Sequence, residues 1–120
     1  MKRILIVEDD KFLANALESK LVKDGFVIDV VGDGSDVSGK LDQNMPDLIL
    51  LDLMLPKMDG FAVLEMLKAN AAWASMPVVV ITNLSQNEDF EKAKALGAAD
   101  YLIKTGMSLG EVVEKVKKFL

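Results

Sequence analysis

Cysteine and histidine are both missing from this 120-residue chain. Without cysteine there is no disulfide framework and no thiolate metal site, and the composition is neutral between redox compartments. Without histidine there are no imidazole metal ligands, no histidine general base and no Ser-His-Asp triad. Carboxylates, lysines and hydroxyls must therefore carry any chemistry. Positive charge is also in short supply, because 14 Lys and Arg against 19 Asp and Glu leave a net charge of −5. Nucleic-acid binding draws most of its non-specific affinity from clustered cations, so no direct contact with nucleic acid is expected. The apolar runs are a handful of residues long, far short of the ~20 needed to span a bilayer. Met1-Lys2-Arg3 leads straight into a strand-like run rather than a signal peptide, and no membrane association and a cytoplasmic location are expected.

What remains is ample for a core. With 51% hydrophobic residues, the chain reads as one domain over 1–120, without repeats, low-complexity stretches or linkers. Strand-like runs rich in Val, Ile and Leu lie near 3 to 8, 27 to 31, 47 to 52, 77 to 82 and 100 to 104. Helix candidates alternate with them. The first carries Leu13, Leu17 and Leu21 at helical spacing and stops near Gly25; the second, about 34 to 44, turns Val37 and Leu41 inward before Pro46. The third places Val63, Leu64 and Leu67 on one side after Gly60. The last two are expected to begin with capping boxes, Ser85 with Glu88 and Ser108 with Glu111. Five strands in βα alternation with right-handed crossovers favour an α/β doubly wound parallel sheet. The strand order 2-1-3-4-5 is taken by analogy with flavodoxin-like (βα)5 proteins.

Four strand ends carry residues fit for phosphate chemistry: Glu8-Asp9-Asp10 after the first run, Asp52 after the third, Thr82 after the fourth and Lys104 after the fifth. Open α/β sheets bind ligands at that edge. Carboxylates gathered there repel one another by about 4 kcal/mol per pair at ~4 Å and an effective dielectric of ~20. A hard cation offsets this, and Mg²⁺ suits a site with few protein carboxylates because it keeps waters and takes phosphate oxygens. Lys104 and Thr82 complete a cage for a phosphoryl group, leaving Asp52 as the nucleophile that becomes an acyl phosphate. Each residue alone has an ordinary explanation, as a loop starter, helix cap, β-branched strand end or solvated lysine. Four complementary groups at four strand ends do not.

With these residues in view, the chain resembles the receiver domains of two-component response regulators, from Lys2 to Leu120. Ile4-Leu5-Ile6-Val7-Glu8-Asp9-Asp10 is similar to the family's first strand and acidic pair, and Pro46 to Asp52 to its third strand with the phosphoacceptor. Leu55-Pro56 and Met58-Asp59-Gly60 match the following loop, Pro77 to Thr82 the fourth strand, and Gly97 to Lys104 the fifth. The resemblance implies phosphorylation at Asp52 and Mg²⁺ held by Asp9, Asp52 and the Met54 carbonyl, with Glu8 assisting through a water. It makes Thr82 the switch hydroxyl, Tyr101 the switch aromatic and Lys104 the phosphate-contacting lysine. It implies a phosphoacceptor that assists its own phosphorylation and dephosphorylation, not an enzyme. The donor is then a phosphohistidine on a sensor histidine kinase or histidine phosphotransfer protein. The output is the face of helix 4, strand 5 and helix 5, read by an output partner or a fused output domain in a monomer or phosphorylation-linked dimer.

The chain also departs from the family. Thr105 stands where a cis-bonded proline is usual; a cis bond without proline costs ~2.5 to 4 kcal/mol, so a trans bond is expected, or a strained cis one that aims the ammonium. Met54 and Leu84 are apolar where side chains influence attack by water on the acyl phosphate, which predicts slow self-dephosphorylation. Phe12 is read either as a docking aromatic or as core, and Met66 and Met76 as gap fillers. A phosphatase of the haloacid dehalogenase type needs a second Asp where this chain has Met54. A flavodoxin-like carrier would place phosphate against Glu8-Asp9-Asp10, which repel it, and no Gly-rich P-loop is present. The alternative is a degenerate receiver acting as a phosphorylation-independent interaction domain, credible if Lys104 is displaced from Asp52.

Overall fold

The five apolar runs form one parallel sheet in a computed structural model that describes residues 1–120. Its strands are β1 (Arg3–Val7), β2 (Val27–Val31), β3 (Leu48–Leu51), β4 (Val78–Thr82) and β5 (Asp100–Ile103), in the order β2-β1-β3-β4-β5. The expected doubly wound topology is therefore the one observed. Helices α1 (Lys11–Lys23), α2 (Val37–Gln43), α3 (Gly60–Ala69), α4 (Asn87–Ala95) and α5 (Leu109–Lys117) connect and follow the strands, with 3-10 turns at Gly34–Asp36 and Lys104–Gly106.

Successive strand residues point to opposite faces, and the core divides accordingly. Leu5, Val7, Ile49, Leu51, Val78 and Val80 pack with side chains of α2, α3 and α4, including Val37, Leu41, Leu64 and Ala93. Ile4, Ile6, Leu48, Leu50, Val79 and Ile81 pack instead with α1 and α5, including Leu17, Leu21, Val112 and Val116. Helices on both faces explain why the central strands are apolar throughout rather than alternating. Met76 fills the first cluster, and Met66 packs against it, as gap fillers do.

Local chemistry sets the helix ends that frame the sheet's carboxyl edge. Asp10 caps α1, accepting from the Phe12 and Leu13 N–H groups, and Gly25 takes a left-handed φ of 94° just past its end. Asp59 caps α3 through the Ala62 N–H at 2.9 Å. The Ser108/Glu111 capping box is formed at α5. The matching expectation at α4 is wrong. That helix starts at Asn87 with Gln86 as its cap residue and no side-chain cap bond, so Ser85 lies one residue too early. Glu88 then sits in the first turn, where its charge favours the helix N-terminus without closing a box.

Candidate functional site

Parallel register brings the four strand ends together. Val7 pairs with Leu51, Leu51 with Val80, and Thr82 with Ile103, so Glu8, Asp52, Thr82 and Lys104 emerge along one edge. The Asp52 N–H donates to the Val7 carbonyl and the Glu8 N–H to the Val31 carbonyl, both at 3.0 Å, which extends the ladder to both carboxylates. Glu8 and Asp52 are each only 2% exposed and Thr82 is fully buried. Asp9 is exposed at the entrance to α1. Carboxylate oxygens of Glu8, Asp9 and Asp52 lie within 4.8 Å of one another.

One cation faces these three acids. The Lys104 ammonium donates to Asp52 Oδ2 at 2.8 Å and stands 2.6 Å from Glu8 Oε1. The second contact is an ion pair by distance without hydrogen-bond direction, so Glu8 Oε1 is buried with no hydrogen-bond partner. The other Glu8 oxygen accepts from the Asp10 N–H at 3.1 Å, and Asp52 Oδ1 from the Met54 N–H at 3.1 Å. Burial pushes the Glu8 carboxyl up to about 7; the Asp52 charge adds to the rise, while Lys104 and the Asp10 N–H hold it back. Burial disfavours the Lys104 ammonium, but its contacts with Asp52 and Glu8 outweigh that and raise its pKa. Three carboxylates within 4.8 Å, two of them buried, against one ammonium fit a hard divalent cation with oxygen ligands. Glu8, Asp9 and Asp52 are the groups available to hold one.

The lysine reaches Asp52 without a cis peptide, since none occurs in the chain and Lys104–Thr105 is trans as expected. Beyond it, Leu84 joins the two expected switch residues. Its N–H donates to Thr82 Oγ1 at 3.3 Å, and its carbonyl accepts from the Tyr101 hydroxyl at 2.8 Å. Tyr101 also meets Phe90 edge-on, with ring centroids 5.6 Å apart. Burial pushes the Tyr101 hydroxyl up, with the charges of Asp89 and Asp52 adding to the rise. Phe12 is 86% exposed, which removes the core reading for it, and Met54 is 56% exposed beside Asp52.

Sequence reasoning noted Gly60 only as part of a motif and passed over Gly34 and Lys57, which help shape the loop after Asp52. Gly60 leaves no room for a side chain, because a Cβ there would lie 2.3 Å from the Asp52 carbonyl oxygen. Gly34 is as tightly placed against Met58, and Lys57 between them has a left-handed φ of 63°. Gly60 stands in a motif already noted, but Gly34 looks like one more turn glycine in Gly32-Asp33-Gly34-Ser35. Its partner is distant in sequence, so no local signal marks it. The largest surface concavity, about 600 Å³ between α1 and α5, includes none of the acidic-edge residues. Its charges of both signs are paired in part, as in Lys117 with Asp24 at 3.1 Å.

The sheet order and this acidic edge are those of a phosphoacceptor signalling fold. The model of the response regulator receiver domain matches residues 4–117, and the chain belongs to that family. It is 38% identical over 120 residues to the sensory transduction protein RegX3 of Mycolicibacterium smegmatis, covering 100% of this chain and 51% of that protein. Among solved structures it is similar to the signal receiver domain of a signal transduction histidine kinase from Syntrophus aciditrophicus. That match has a TM-score of 0.91 at 32% identity, covering 100% of this chain and 90% of the other. It is also similar to the Mn(2+)-bound form of response regulator Rcp1, with a TM-score of 0.85 at 31% identity, covering 98% and 91% of the two chains. The chain spans about half the length of the curated relatives it matches. No helix is long and apolar enough to cross a membrane.

Proposed function

We propose that Asp52 is the phosphorylated residue and that the acidic edge binds Mg²⁺ through Asp9, Asp52 and the Met54 carbonyl, with Glu8 acting through a water. The observation that carries this is the buried Asp52 carboxylate, held at 2.8 Å by Lys104 beside two further acids within 4.8 Å. Bound Mg²⁺ supplies charge neutralisation for incoming phosphoryl oxygens, and the Mn(2+)-bound state of Rcp1 supports a divalent ion in this fold. An Asp52 oxygen attacks phosphorus, the P–N bond to a donor phosphohistidine breaks, and the electron pair leaves on the imidazole nitrogen. Lys104 shifts from balancing the carboxylates to balancing the phosphoryl oxygens, and the Thr82 hydroxyl donates to one of them.

The donor is a sensor histidine kinase or a histidine phosphotransfer protein, which suits a chain with no histidine of its own. The domain is then a cytoplasmic phosphoacceptor that assists its own phosphorylation and dephosphorylation. Drawing Thr82 toward the phosphoryl group alters the Leu84 backbone that it shares with Tyr101, and so the face of α4, β5 and α5. A shift from about 1:99 to about 99:1 in such a switch needs ~5.5 kcal/mol of differential interaction. The output lies with a separate partner or a fused domain, and the chain is a monomer or a phosphorylation-linked dimer. A degenerate, phosphorylation-independent domain would suit a displaced Lys104, and the Lys104–Asp52 contact counts against it.

The decisive test is incubation with Mg²⁺ and a small-molecule acyl phosphate, followed by intact mass, with Asp52→Asn alongside. A phosphoryl mass gain confined to the parent chain is expected. Gain in both chains, or in neither, defeats the assignment. Exposed, apolar Met54 shields the product from water, so Met54→Ala should speed loss of the phosphoryl label; an unchanged rate removes the shielding role.

A further inference from the structure

We infer that Gly34, in the connection from β2 to α2, is a positioning residue for the metal-binding loop between β3 and α3, a role that rests on the Mg²⁺ reading above. The loop closes on itself where the Gly60 N–H donates to the Leu53 carbonyl at 2.9 Å. At its tip the Met58 N–H donates to the Pro56 carbonyl at 2.7 Å across Lys57, whose φ is 63°. A two-residue hydrogen bond around a positive φ is the rare, strained form of γ-turn. Such a turn persists only where its surroundings over-determine it.

Gly34 is the surrounding that does so. A Cβ on Gly34 would stand 1.9 Å from the Met58 carbonyl oxygen and 2.8 Å from Val63 Cγ2, so the two backbones meet face to face. The oxygen is main chain and cannot rotate away as a side chain would. Asp33, beside Gly34, lies 3.6 Å from the Lys57 ammonium and also accepts hydrogen bonds from Ser35. The turn that follows β2 thus presses on the strained tip of the loop whose other end carries Asp52 and the Met54 carbonyl. Met54 is further tied to Asp52 by its own N–H at 3.1 Å, so movement of the loop moves both groups. A side chain at position 34 would displace Met58, and the ligand set with it.

The test compares Gly34→Ala with Gly39→Ala, a glycine in the same region whose added Cβ meets nothing within 4 Å. Mg²⁺ affinity is measured by calorimetric titration alongside thermal melting for both variants, the parent and Asp52→Asn. Gly34→Ala should weaken Mg²⁺ binding by about 10- to 100-fold, the range for residues that orient a ligand from behind, with Gly39→Ala unchanged. Equal affinity in Gly34→Ala and the parent overturns the inference, even if the melting temperature falls, because that outcome is merely structural. A parent that binds no Mg²⁺ overturns the underlying metal reading as well. Should Gly34→Ala fail to fold, the parent decides: Mg²⁺ should shift the Gly34 amide resonance and leave Gly39 in place. Shifts confined to the acidic residues and Met54 overturn it.

Discussion

Charged residues gather at two places on the sheet, with opposite outcomes. Near the start of β1 and along β2, Arg3 pairs with Asp29 at 2.7 Å, Lys40 stands 3.8 Å from Asp29, and the Arg3 N–H donates to Asp47. Cations and anions balance there, and the paired side chains are 18% to 30% exposed. At the carboxyl edge a single lysine faces three acids, with the Glu8 and Asp52 side chains 1% and 4% exposed. The first cluster is settled by solvent and its own partners; the second is left with surplus negative charge that one ammonium must share between two buried carboxylates. Acidic residues are common to both places. Burial and imbalance are what separate a site from a scaffold.

Removing Lys104 should have the largest effect. Lys104→Met leaves two buried carboxylates without their cation and is expected to cost about 3 to 5 kcal/mol in urea unfolding with a chelator present, partly restored by Mg²⁺. A loss below about 1 kcal/mol would put this edge in the same class as the β2 edge.

The next effect is a pH dependence in the chelator-treated chain. Glu8 rises from 4.5 to about 7 on folding because burial disfavours its charge, so the folded chain holds more protons than the unfolded chain between those values. Its contribution to stability is therefore full below pH 4.5 and is lost as pH climbs through about 7. Mg²⁺ prefers the ionised carboxylate and should flatten that loss. Unfolding midpoints followed across the window, with Glu8→Gln as reference, check the sign. A Glu8→Gln chain with the same pH profile as the parent would assign the slope elsewhere.

Smaller effects sharpen the contrast from the other side. Ser108→Ala should cost about 1 kcal/mol in the same unfolding assay, because it opens a formed capping box, whereas Ser85→Ala should cost nothing measurable. Asp29→Asn should cost at most about 1 kcal/mol, less at high salt, as expected for pairs that solvent still reaches. A large loss at Asp29 would erase the distinction between the two clusters.

The two serines also show how far a motif can be read. Ser85 and Ser108 carry the same spacing to a glutamate, yet only the second closes its box. The α4 turn begins one residue later than the pattern suggests, and Thr82, Leu84 and Tyr101 hold the preceding backbone. Local propensity gives way there to tertiary bonds. Gly34 is the reverse case, a residue with an ordinary turn signal whose demand for glycine comes from Met58.

Residue type and period were enough, on their own, to determine the alternation of strands and helices, their two-sided core, and which chemical groups end each strand. Those are short-range properties: a strand buried on both faces must be apolar along its length, and parallel strands must share an edge. Only the tertiary structure decided that Glu8 is buried, that the Lys104 ammonium is shared between it and Asp52, and that Gly34 abuts the Met58 carbonyl. Each of these depends on distances between segments far apart in the chain, which no local pattern encodes because the energy belongs to the packed pair and not to either segment.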